Sequence, residues 1–169
     1  MSVQIEESGL LFGDFEAEDL FQIEKSTAVS NLGDGICKVE FVYHQEQTKR
    51  IVFLEAKSSY PRQADDFFKE IKAKMLHSLA VWFTAVVGRH TAIKPEMGTN
   101  LQKTALLKKP IHFVLVVPNM PSEHCIGATD KFRQCFSLER RLWNIKDSDI
   151  RVINTEKAKK FGLLSCHHQ

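Results

Sequence analysis

The sequence predicts an α/β domain with a mixed central sheet flanked by helices. Three observations carry that prediction. Residues 51–57 (IVFLEAK) have a β-branched strand pattern, residues 63–87 carry an apolar stripe at helical spacing, and residues 111–117 (IHFVLVV) are a nearly unbroken apolar run. Strands close together in sequence favour an antiparallel meander, whereas strands joined through helices favour parallel pairing.

Taken in chain order, residues 1–19 are acidic with scattered apolar positions, and a short helix is expected around 14–19. A first strand is expected at 20–26 (LFQIEKS) and a second at 36–43 (ICKVEFVY), the latter after the Gly33-Asp34-Gly35 turn signal. The polar stretch 44–50 reads as a hairpin connection into the strand at 51–57, which Ser58-Ser59-Tyr60-Pro61 closes. In the long helix, Phe67, Phe68, Ile71, Met75, Leu79, Trp82, Phe83 and Val86 recur at three- and four-residue intervals. Residues 88–110 read as a loop with a short helix near 101–107, and 111–117 as a strand covered on both faces. A loop at 118–129 leads to a second helix at 130–143, with Phe132, Cys135, Phe136, Leu138, Leu142 and Trp143 expected inside. A short strand at 150–153 and a terminal helix at 155–161 complete the pattern.

A length of 169 residues suits one domain over 1–169, its core at about 20–154. The net charge of +2 does not by itself mark a nucleic-acid binder, so any basic surface must be local. Cys37, Cys125, Cys135 and Cys166 form no C-x-x-C pair, and acidic and polar residues interrupt the first fifteen positions where a secretory leader would be apolar. Reduced thiols in a cytoplasmic protein are the expectation. Cys166-His167-His168 lacks a fourth ligand for zinc and reads as tail. The apolar run 79–87 is broken by Thr84 and stops at Gly88-Arg89-His90, too short for a membrane span.

Side chains alternate along a strand, so Glu55 and Lys57 share one face with Ile51 and Phe53, while Val52, Leu54 and Ala56 take the other. A carboxylate and an ammonium at the end of a doubly apolar strand are costly to desolvate unless they pair or bind something. Glu40, one hairpin earlier, is the natural second carboxylate. Two carboxylates held close repel each other and invite a divalent cation, here magnesium (or manganese) between Glu40, Glu55 and the Ala56 carbonyl. Lys57 would then orient or help deprotonate an attacking water.

An acid, a hairpin and then Glu-x-Lys closing a strand, followed by a helix and a further core strand, resembles the PD-(D/E)XK superfamily of restriction-endonuclease-like nucleases. The resemblance covers roughly residues 20–117. It implies that Glu40 and Glu55 bind metal, that Lys57 serves the nucleophile, and that an additional upstream acid joins them, Glu24 first and Glu18 second. It further implies hydrolysis of phosphodiester bonds in DNA, or RNA, in genome defence or repair. Two departures stand out: Glu40 occupies the place where the family usually has Asp, and Val39 precedes it where the family has Pro. An extra methylene displaces a carboxylate by more than an ångström, and octahedral magnesium tolerates such shifts poorly.

Glu70-Ile71-Lys72 also matches Glu-x-Lys but falls on the long helix, where it reads as solvated helix charge. Three readings therefore stand side by side: a metal-dependent nuclease, a nuclease-fold binding module without catalysis, and an unrelated domain with a structural salt bridge of Glu55 or Glu40 to Lys38 or Lys57. Ser58-Ser59 suit either a phosphate contact or a turn cap, and His77 reads as a helix-face histidine. No glycine-rich phosphate loop or nucleophile elbow is present. Nucleic acid is the expected partner and no membrane is; a homodimer or larger complex would supply the grip that one small domain lacks on a duplex. The segment 88–110, with Arg89, His90, Lys94, Lys103, Lys108 and Lys109, is the expected contact surface or a mobile solvated loop.

Overall fold

The structure is a computed structural model and describes residues 1–165. The chain opens with an antiparallel hairpin of β1 (Ser2–Glu7) and β2 (Leu10–Glu16). Its turn residues Ser8 and Gly9 both have positive φ, 50° and 77°, the backbone that matches the right-handed twist of paired strands. The helix expected around 14–19 is replaced by β2 and a single 3-10 turn, Ala17–Asp19. Leu10 and Phe12 are buried, a register shift in the pairing with β1 then changes the buried parity, and beyond it Phe15 is buried while Asp14 and Glu16 face out.

A two-residue β3 (Leu20–Phe21) stands where seven residues of strand were expected, because the chain turns into a 3-10 helix, Ile23–Lys25. The short α1 (Thr27–Ser30) follows, with the Ser26 hydroxyl accepting from the Val29 amide at 3.0 Å as an N-cap. β4 (Phe41–Gln45) begins later than predicted, and residues 36–40 lie outside any strand. A turn at 46–49 leads into β5 (Arg50–Ala56) and then the 22-residue α2 (Asp65–Val86), both close to their predicted bounds.

Residues 88–110 carry two 3-10 helices, Thr91–Glu96 and Thr104–Lys108, and bury Ile93, Met97, Leu101 and Leu106 in the same core as α2. The expectation of a solvated loop therefore fails. The Trp82 indole donates to the Leu101 carbonyl at 3.0 Å and fixes this segment to the helix. β6 (Ile111–Val116) is wholly buried. Next, α3 (Ser122–Cys135) starts inside the stretch expected to be loop, and only the four-residue α4 (Glu139–Leu142) continues it. Cys125, Ala128 and Phe132 form the buried stripe of α3, whereas Leu138 and Leu142, expected inside, are 54% and 73% exposed. β7 (Ile150–Ile153) and α5 (Thr155–Lys160) close the fold. The Cys166-His167-His168 segment lies outside the described residues.

The five-stranded sheet has the order β3-β4-β5-β6-β7, antiparallel through β5 and parallel from β5 to β7. The mixed α/β sheet expected from the sequence is thus present. Ile51 and Phe53 of β5 point into a core shared with Trp82, Phe113 and Phe132 beneath α2 and α3. Val52, Leu54 and Ala56 point into the opposite core, which the β1–β2 hairpin covers with Phe12 and Phe15. Among the described residues no helix is long and apolar enough to cross a membrane, and Cys37, Cys125 and Cys135 are free thiols.

Gly98 marks the closest approach of the 88–110 segment to the start of the sheet. Its amide donates to the Leu20 carbonyl at 2.9 Å, and a Cβ there would overlap the Glu18 carbonyl and lie 2.7 Å from the Ala17 oxygen. Both obstacles are backbone, so Gly98→Ala is expected to lower stability by about 1–3 kcal/mol, read as an earlier urea midpoint with an unchanged slope.

Candidate active site at the paired ends of β4 and β5

Glu55 has no exposed surface, as expected for an odd-numbered β5 position that shares its face with Ile51 and Phe53. Counter-charge reaches it from two sides. The Lys74 ammonium, from α2, lies 2.6 Å from Oε1, and the Lys57 ammonium lies 3.3 Å from the same oxygen. Lys57 also touches Glu70 of α2 at 3.3 Å. The second oxygen, Oε2, has no hydrogen-bond partner among the described residues. Burial pushes the Glu55 carboxyl up from its ordinary value, and Lys74 and Lys57 hold part of that rise back. For Lys57, burial pulls the ammonium down, but Glu55 and Glu70 outweigh it and the net shift is upward.

Glu40 immediately precedes β4. Its amide donates to the Leu54 carbonyl at 3.1 Å and Phe41 pairs with Leu54, so the register places Glu40 beside Glu55. The extended segment that delivers it is held from α2: Val39 donates its amide to the buried Ser78 hydroxyl at 2.9 Å, and Cys37 donates to His77 Nδ1 at 3.0 Å. His77, read from sequence as an ordinary helix-face residue, is in fact a strap on the strand that carries Glu40.

Two further acids converge on Glu40. Glu24 comes from the 3-10 turn Ile23–Lys25 and Glu7 from the end of β1, and one oxygen from each of Glu7, Glu24 and Glu40 lies within 4.8 Å of the others. The Glu40 carboxyl is pushed up to about 9 by burial first, then by a hydrogen bond to Glu24 and the charges of Glu55, Glu24 and Glu7. Burial and the neighbouring carboxylates thus favour its protonated form at neutral pH.

These oxygens suit a hard divalent cation. Magnesium binds oxygen at about 2.0–2.1 Å in an octahedron, which needs ligand oxygens roughly 3–4 Å apart, so the cluster requires only a small inward movement.

Of the sequence-predicted residues, Glu24, Glu40, Glu55 and Lys57 are brought to one region, and Ala56 closes β5 beside them. Glu18, the second choice for the upstream acid, is exposed, and its carbonyl accepts from Asn100 at 2.8 Å. Lys38 turns to the Ser30 hydroxyl at 2.8 Å and joins no acid among the described residues. Glu70 and Lys72, read as solvated helix charge, both make tertiary pairs, Glu70 to Lys57 and Lys72 to Glu139 at 2.6 Å. Glu7 and Lys74 were not among the expected site residues. Lys74 lies four residues after Glu70 and so on the same helix face, a signal available from spacing alone. Glu7 depends on the hairpin, which no sequence pattern placed. Ser58 and Ser59 border a cleft of about 340 Å³ with Tyr60 and His124.

Two outcomes are expected. In metal-free buffer the raised Glu40 value means that the unfolded chain loses this proton from about 4.5 upward while the folded chain keeps it to about 9. Stability therefore falls as pH rises through that window, and Glu40→Gln flattens the slope in thermal melts compared at about pH 5 and about pH 8. Ser78→Ala leaves the buried Val39 amide unpaired and lowers stability by about 1–3 kcal/mol in urea unfolding.

Compared with protein-family models, with curated proteins and with solved structures, the chain matches none of them.

Proposed function

We propose that this protein is a divalent-metal-dependent nuclease on a restriction-endonuclease-like fold, hydrolysing phosphodiester bonds of nucleic acid, DNA foremost. The observation that carries the reading is the convergence of Glu7, Glu24 and Glu40 beside the buried Glu55, on adjacent strand ends, with Lys57 following in the next position but one. The mixed sheet, the hairpin between the two acids and the long helix after Glu-x-Lys agree with the resemblance noted from sequence.

In this reading Glu40, Glu55, the Ala56 carbonyl and Glu24 would hold the ion, with Glu7 as an added ligand. A bound magnesium or manganese ion supplies a lowered water pKa and compensates charge on the phosphoryl oxygens. Glu40 would hold the ion as the carboxylate. Lys57, kept protonated by Glu55 and Glu70, serves as a cation that orients water and faces developing negative charge, in preference to acting as a base. Lys74 holds Glu55 in place from α2.

The pairing of both ammonium groups with one Glu55 oxygen favours a second reading, a nuclease-fold module that binds without cutting. It predicts no tight divalent binding by calorimetry. The leading reading predicts cleavage of plasmid or single-stranded substrates with magnesium or manganese, reduced about 100-fold or more by Glu55→Ala or Lys57→Ala. Cleavage that survives both substitutions, or that proceeds with every divalent ion chelated, would sink it.

A further inference from the structure

Away from the acidic cluster, β7 forms the outer edge of the sheet, and α3 covers that edge with side chains. The Thr129 hydroxyl accepts from the Val152 amide at 3.0 Å and donates to its carbonyl at 3.2 Å, while Arg133 Nε donates to the Ile150 carbonyl at 3.0 Å. Between α3, β7 and α5 lies a cavity of about 380 Å³. That volume falls within the range of small-molecule sites.

Its charge is one-sided. Arg133, Arg151, Lys157 and Lys160 line it against a single carboxylate, Asp130. Asp130 reaches Arg133 only at 3.7 Å, Lys160 pairs with Glu156 on the exposed surface of α5, and Lys157 pairs with no carboxylate among the described residues. Burial, then the neighbouring Arg50, push the Arg151 guanidinium down, and Arg133 adds to this against the opposing pull of Asp149. Like charges crowded this way are relieved by an anion.

The cavity also offers apolar surface. Ile126 is 65% exposed at its wall, and the Phe161 ring lies against the Arg151 guanidinium at 4.7 Å. A guanidinium stacked on an aromatic ring presents a flat platform and keeps N–H donors for phosphate oxygens. An inorganic anion would use the cations and leave the apolar wall bare.

We infer that this cavity is a nucleotide-binding site, with the phosphate held by Arg133, Arg151, Lys157 and Lys160 and the base lying against Ile126 and Phe161. The site is separate from the acidic cluster. Arg151 pairs with Val114, whose partner Leu54 faces away from Glu55, and β7 lies two strands from β5, about 10 Å at ordinary strand spacing. Nucleotide binding therefore needs neither the acids nor a divalent ion.

Calorimetry in the presence of a chelator tests this with adenosine monophosphate, adenosine, inorganic phosphate and a 5′-phosphorylated oligonucleotide as probes. Micromolar binding of the monophosphate is expected, weakened at least about 10-fold by the double substitution Lys157→Gln/Lys160→Gln and by raised salt. Both lysines lie on α5, their ammonium groups bond no backbone carbonyl among the described residues, and circular dichroism should confirm an unchanged fold. No binding, equal binding by adenosine or by inorganic phosphate, tighter binding by the oligonucleotide, or an unaffected double variant would each overturn the inference.

Discussion

A carboxylate without exposed surface on a central strand has to be neutralised or matched, because its desolvation costs several kcal/mol. Glu55 is matched from α2 by Lys74 and from its own strand end by Lys57. This pairing constrains the rest. It fixes the rotation of α2 over the sheet, so that Ile71, Met75 and Leu79 fall into the core while Lys74 reaches inward and Glu70 meets Lys57. It also leaves one Glu55 oxygen without a partner among the described residues, and the charge of Glu55 bears on Glu40 just before the neighbouring strand.

The acidic end of the sheet and the basic edge at β7 arise from the same alternation. Odd positions of β5 face α2 and carry the acid at their end. Even positions face the hairpin, and the β7 residue on that side, Arg151, carries a cation onto Phe161. The near-neutral net charge of +2 thus conceals two local fields of opposite sign. Net charge describes colloidal behaviour, whereas recognition follows from where the charges lie.

Much of the architecture was legible because period-two and period-3.6 patterns are strong in β5, α2 and β6. The two faces of β5 were assigned correctly from alternation alone, and Glu40 and Glu55 were correctly read as neighbours across a hairpin. Other features were hidden for physical reasons. The β1–β2 hairpin mixes acidic and apolar residues, so its pattern resembles a disordered or helical terminus until the Ser8-Gly9 turn is recognised. Helix α3 has a narrow stripe of small residues, Cys125 and Ala128, which signals weakly beside the larger but exposed Leu138 and Leu142. Glu7 joins the site only through the tertiary placement of the hairpin, whereas Lys74 had a local signal in its four-residue spacing from Glu70.

The straps from His77 and Ser78 to Cys37 and Val39 have a mechanical consequence. A strand residue is ordinarily aligned by its neighbouring strands, but the lead into Glu40 takes its alignment from a helix. Lys74 lies one turn before the neighbouring His77 and Ser78 on that helix. The acid and the cation that steadies its neighbour are thus mounted on one rod. A twist of α2 would move both together, preserving their relation to each other while changing their relation to Glu7 and Glu24.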